Sequence, residues 1–283
     1  MAAPQEGSLA DRLRAAFAEL TESERRVAGF IIDRPGELAA FAGKELAEHA
    51  GVSGATVSRL FRRLGYESFE EARREARTLR GAGSPLHLLD PRSAARPPLI
   101  AQHIAEEARL VEVTLSMLSP LVLREVAGAL AEARHVWFTG FRNSRFLADY
   151  ARALFTSLRS EAYALAPSGQ TLAEGVAGVG RGDIVMAFGM RRRLTSFVPL
   201  LEALSGQEAD VLLVTDRSMK APAPAVRWTL LCAVETARPI DSYAGVLALT
   251  RLLALETLSR LGPRARKRLA AIEAAQLQLR ELE

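Results

Sequence analysis

The chain has 283 residues, 49% apolar and 25% charged, a globular balance with length for about two domains. Its single cysteine, Cys232, excludes an internal disulfide framework and a multi-cysteine zinc site, and no charge-free run of about 18 apolar residues predicts a membrane span. The formal charge of +4 is no broad nucleic-acid signal, because residues 1–80 carry 13 basic and 13 acidic side chains, so such a case must rest on local clustering. The N-terminal stretch carries acids and lacks an apolar core, so the expectation is a cytoplasmic, reducing setting without a signal peptide.

Residues 8–80 read as a run of helices. Ser8 is placed to cap a helix over 9–20. Thr21 and Glu24 have capping-box spacing, and the helix they open ends near Asp33, before Pro35. A short helix is expected over 36–41. Residues 43–50 and 54–64 form two helices around Gly51-Val52-Ser53, and Ser68 to Glu71 is a second capping box opening a helix to about Arg80.

The segment 43–64 carries the strongest signal. A helix-turn-helix needs a small residue where its helices cross, a glycine in the turn, and an apolar residue packing back from the second helix. Ala47, Gly51 and Val57 have that spacing, and Ser53 is a cap for the second helix. Val57, Leu60, Phe61 and Leu64 recur on one helical face and read as core. The opposite face carries Ala55, Thr56, Ser58, Arg59, Arg62 and Arg63. By position, Ser53, Ala55, Thr56 and Arg59 are candidate base readers, with Ser58 on the same DNA-facing surface. Arg62, Arg63 and Lys44 are candidate phosphate binders. A helical hairpin with a solvated basic face is the competing reading.

Residues 81–98 hold two glycines and four prolines and suit an extended linker. Two helical stretches follow (99–117 and 120–132). Apolar runs then alternate with helical segments: strands over 135–139, 162–165, 183–188, 210–215 and 228–234, with helices over about 144–158, 194–205, 241–261 and 263–282. Such alternation predicts a parallel sheet covered on both faces. Three domain-level segments are expected: 1–80 as the DNA-binding domain, 81–98 as linker, and 99–283 as an α/β domain. The histidines (His49, His87, His103, His135) are scattered and read as surface or linker residues, not ligands.

With these motifs in order, residues 21–80 resemble the N-terminal domain of the RpiR family of bacterial transcriptional regulators. The resemblance rests on L-T-x-S-E-R-x-V-A, then L-A-x-x-A-G-V-S-x-A-T-V-S-R, then L-G-Y-x-S-F-x-E. It implies a C-terminal sugar isomerase (SIS) domain of flavodoxin-like build, which in that family usually senses a phosphorylated sugar. The first SIS loop, G-x-G-x-S, corresponds to Gly140-Phe141-Arg142-Asn143-Ser144, with Arg142 in place of the second glycine. Ser144 then stands at a helix start, where its hydroxyl and nearby N–H groups are placed to hold an anion.

The second SIS loop, S-x-S-G-x-[ST], departs further. Here Gly189 is followed by Met190, Arg191, Arg192, Arg193, Leu194, Thr195 and Ser196, so the serines that ring a phosphate are absent. Read at a helix N-terminus, three arginines oppose the dipole by a few tenths to about 1 kcal/mol each. Three readings stay open. Arg142, Arg191, Arg192 or Arg193 hold an anionic effector with Asn143, Ser144 and Thr195; the arginines are structural; or the pocket is degenerate. Thr215 and Ser218, after the fourth strand, line the same expected site, and Ser242 reads as a helix cap.

An isomerase needs a base near the sugar carbonyl. Glu174 and Glu235 are the only carboxylates weighed for it, and both read better as surface charges, so no catalytic residue, cofactor or metal is expected. The implied partners are double-stranded DNA with an inverted-repeat operator, a small anionic effector, and a second copy of the chain in a homodimer or tetramer. A constitutive DNA-binding dimer and, less favoured, a sugar-phosphate isomerase are the alternatives.

Overall fold

Residues 9–33, 38, 41–81, 100–219, 226–236 and 240–281 are described in a computed structural model of the chain. The Ser8 cap lies outside these residues, as do most of the expected 36–41 helix and nearly all of the expected linker. The contacts divide the chain into two compact units, one built on the N-terminal helices and one on the sheet.

The helical unit contains α1 (Leu9–Ala16), a 3-10 turn (Phe17–Glu19), α2 (Glu22–Asp33), α3 (Gly43–His49), α4 (Gly54–Arg63) and α5 (Phe69–Gly81). The Thr21 capping box forms: the Thr21 N–H donates to Glu24 Oε2 at 2.9 Å, and the Glu24 N–H donates back to Thr21 Oγ1 at 3.4 Å. Burial alone would raise the Glu24 carboxyl, but these Thr21 bonds and the charges of Arg63 and Arg59 hold it below its ordinary value. The core gathers Leu13, Val27, Leu46, Val57, Leu60 and Phe61, all at most 2% exposed. That cluster includes the apolar α4 face foreseen from periodicity.

The second unit contains α6 (Ile100–Ser116), α7 (Pro120–Glu132), β1 (Val136–Gly140), α8 (Asn143–Leu158), β2 (Ala162–Ala164), α9 (Leu172–Ala177), β3 (Ile184–Gly189), α10 (Phe197–Gly206), β4 (Asp210–Asp216), β5 (Trp228–Cys232), α11 (Ala244–Leu261) and α12 (Pro263–Leu279). The strands pair in parallel in the order β2-β1-β3-β4-β5, the flavodoxin-like doubly wound arrangement.

Period-two alternation sorts the strand side chains onto two faces. Ile184, Met186 and Phe188 face one apolar layer with Leu212, Val214 and residues of α7, α8 and α11. Val185, Ala187, Val211 and Leu213 face the other, with Leu200, Leu201 and Leu204 of α10. Both faces are therefore dry, which is why the strands read as continuous apolar runs. No single helix among the described residues is long and apolar enough to cross a membrane.

Candidate functional site

The turn between α3 and α4 is built by local hydrogen bonding. The Val52 N–H donates to Ala47 O at 2.9 Å and the Gly51 N–H to Glu48 O at 3.1 Å, a Schellman closure. Gly51 takes φ +62°, the left-handed value that favours glycine there. Ser53 Oγ accepts from the Thr56 N–H at 3.3 Å and caps α4. Ala47 and Val57 are buried in the crossing.

On the outer face of α4, Ser53, Ala55, Ser58, Arg59 and Arg62 are exposed, as is Lys44 on α3. Thr56 is the correction to the expected set. It is 6% exposed, and its hydroxyl lies 3.1 Å from Ser53 Oγ, with Arg59 donating to it at 3.5 Å. At the third helical position the side chain folds back onto the cap, so Thr56 is buried rather than exposed and its hydroxyl is engaged with Ser53 and Arg59. Arg63 is also committed to its own chain: it donates to Glu19 O at 3.0 Å and lies 3.8 Å from Glu24.

In the sheet unit, the loops after β1 and β3 approach each other at the carboxyl ends of the strands. A Cβ on Gly140 would lie 2.3 Å from Ser144 O, so only glycine permits this strand-to-helix turn. Ser144 is buried, and its Oγ accepts from the Met190 N–H at 3.1 Å, tying the two loops together. Arg142, Asn143, Ser144, Arg191 and Arg192 line one recess with Phe141, Met190 and Tyr243. Tyr243 accepts from Asn143 Nδ2 at 3.3 Å. The recess volume is about 30 Å³, room for about two waters.

Arg193, Thr195, Thr215 and Ser218 do not join that recess. Arg193 donates to Asp216 Oδ2 at 2.9 Å, to Ser218 Oγ at 2.6 Å and to Gly189 O at 2.7 Å, clamping β3 to β4. Thr215 is buried and its hydroxyl also donates to Gly189 O, at 2.7 Å. Thr195 is exposed in the turn before α10. Burial would raise Asp216, but bonds from Ser218, the Arg193 charge and the Arg191 N–H hold its carboxyl below the ordinary range.

The helix-dipole argument for the arginines is likewise corrected. Helix α10 begins only at Phe197, so Arg191–Arg193 precede it in a loop, and acids of the same unit offset two of them. Arg193 has Asp216, and Arg191, itself 8% exposed, lies 3.3 Å from Glu235. Glu174, weighed as a base, is the capping-box acid of α9, bonded to Thr171. Tyr243, not Ser242, holds the N-cap position of α11; Ser242 Oγ accepts from the Ala244 N–H at 3.2 Å in the preceding turn and donates to Glu107 at 2.5 Å.

A family model described as the helix-turn-helix domain of the rpiR family matches residues 7–77, and a SIS domain model matches residues 129–256. The chain joins an rpiR-family helix-turn-helix domain to a SIS domain. Among curated relatives, an uncharacterized HTH-type transcriptional regulator in the aarA 3′ region of Providencia stuartii is 27% identical over 44% of this chain and 45% of its own. The chain thus spans about half the length of the curated relatives it matches. The sugar isomerase domain of an RpiR transcription factor from Sphaerobacter thermophilus superposes with TM-score 0.57 at 23% identity, covering 62% of this chain and 98% of that one. The Vibrio vulnificus NanR protein complexed with ManNAc-6P superposes with TM-score 0.55 at 16% identity, covering 96% and 99%. At these identities the two structures show a shared fold.

Within the RpiR frame, sequence reasoning missed Asp216, Glu235 as a partner of Arg191, and Tyr243. Asp216 ends a strand beside two hydroxyl residues, a signal available beforehand. The other two reach the loops only through the tertiary fold.

Proposed function

We propose that this RpiR-family chain is a DNA-binding transcriptional regulator whose SIS domain takes a small anionic metabolite, most simply a phosphorylated sugar, and thereby changes operator affinity. The observation that carries the reading is the outer face of α4, where Ser53, Ala55, Ser58, Arg59 and Arg62 stand exposed beside Lys44. Polar and small residues near the helix start suit base edges, and the flanking cations suit phosphates. In this reading residues 1–80 bind DNA, 81–98 link, and 99–283 bind effector and pair with a second copy on an inverted repeat. The relatives named as transcriptional regulators support a binder over an isomerase.

The effector reading rests on Arg142, Arg191 and Arg192 around one recess. Because that recess is only about 30 Å³, a sugar phosphate has to widen it, and its anion has to replace Glu235 on Arg191. The small volume and the internal commitment of Arg193 favour the second reading, a constitutive DNA-binding dimer without effector. Selection of bound duplexes from a random library, followed by gel shifts, tests the first part. Arg59→Ala should lose preference for the selected site by about 1–3 kcal/mol per base contact removed. Retained preference removes the assigned docking. Titrating phosphorylated sugars into the protein–duplex complex separates the two readings.

A further inference from the structure

A larger cavity lies at the opposite end of the strands, before β1 and β2. Its volume is about 320 Å³, within the range of small-molecule sites, and it is lined by Glu132, Arg159, Ser160, Glu161, Arg264 and Arg268, among others. These residues precede β1 and β2 or open α12, whereas the recess residues follow β1 and β3. The two sites are separated by at least the length of β1, about 16 Å at roughly 3.3 Å per residue.

Three observations give the cavity its chemistry. Arg159 is 8% exposed, its two terminal nitrogens donate to the carbonyls of Leu130 at the end of α7 and of Ala133 and Arg134 just after it, and its Nε is buried without a partner. Its ion-pair partner, Glu161, stays 3.6 Å away and is 43% exposed, so the buried guanidinium is met mainly by carbonyl dipoles and by one exposed carboxylate. Independently, the first turns of α12 carry Arg264, Arg266, Lys267 and Arg268 with no acid, against the favourable sign of the helix dipole. Arg264 and Arg268, four residues apart, share one helical face and both line the cavity. Arg264 is held by Glu132 at 2.6 Å, in a pair whose side chains are 60% and 74% exposed. An exposed pair of that kind is worth little and yields to a stronger anion.

We propose that this cavity binds a phosphate monoester. Arg264 and Arg268 are the contacting forks, Arg159 is the fixed charge behind them, and Glu132 and Glu161 accept from hydroxyls on the rest of the ligand. The site is separate from the strand-end recess and does not depend on an effector there.

The test uses the full chain with inorganic phosphate, then ribose 5-phosphate, in thermal-shift and calorimetric titrations at matched ionic strength. The double variant R264Q/R268Q should weaken the binding of inorganic phosphate about tenfold or more per arginine. Glu132→Gln, which removes the competing carboxylate, should tighten it. Absence of binding by both probes in wild type overturns the proposal. So does phosphate binding that survives R264Q/R268Q; should that double variant fail to fold, unchanged affinity in Glu132→Gln overturns it instead.

Discussion

Arg142 takes φ +54° and ψ −128°, a backbone region that favours glycine, at the position where SIS loops carry glycine. The side chain is exposed and lines the recess, so the backbone is strained at the same residue that brings a cation to the loop. Arg142→Gly should therefore stabilise the fold by about 1 kcal/mol in urea unfolding, since it removes strain and touches no buried contact. The same variant should weaken any anion bound at the recess. A variant less stable than wild type would mean that the arginine side chain contributes more packing than its exposure indicates. Thr56 teaches the complementary lesson at this scale. Helical periodicity placed it on the DNA side of α4, but the fold-back of its hydroxyl onto Ser53 decides its burial.

At the scale of elements, the amino ends of β1 and β3 are fixed by one carboxylate. Asp183 is fully buried and accepts from Arg134 Nε at 2.8 Å, Trp137 Nε1 at 3.2 Å and the Gly180 N–H at 3.0 Å, with His135 Nδ1 also 3.0 Å away. Burial would raise its carboxyl, but the Arg134, Gly180 and Trp137 bonds outweigh it and hold the folded-state value below the ordinary one. The folded form thus binds its proton less readily than the unfolded chain. The stabilisation is complete above the ordinary aspartate value and is lost as pH falls through the depressed one. Asp183→Asn should cost about 3 kcal/mol near neutral pH and flatten the acid limb of the melting curve.

The same strands were readable beforehand, because a sheet buried on both faces leaves uninterrupted apolar runs such as Ile184–Phe188. Helix α9 was not, since six residues show no periodicity, although the Thr171–Glu174 capping box was there to be seen. The start of α10 was misplaced because Arg191–Arg193 look like a helix opening until Asp216 and Glu235, distant in sequence, account for two of their charges.

For the whole molecule, the charge balance and the recess bear on one measurement. Any coupling between effector and operator is a free energy that must read the same from either end, so a ligand that weakens operator binding by some factor is itself bound more weakly by that factor when operator is present. At the recess, Glu235 pairs with Arg191 and competes with an incoming anion. Glu235→Gln removes that competitor without adding charge. It should raise affinity for a phosphorylated sugar about tenfold, the scale of one charge-assisted contact, and leave operator affinity in the absence of ligand nearly unchanged. Calorimetry with and without duplex reads both quantities. If Glu235→Gln alters operator binding by itself while sugar affinity stays fixed, the pair works as a structural strut and the constitutive reading gains. If the ligand-affinity ratio with and without duplex equals the operator-affinity ratio with and without ligand, and Arg191→Gln abolishes both, then one linkage joins the basic face of α4 to the arginine loop after β3.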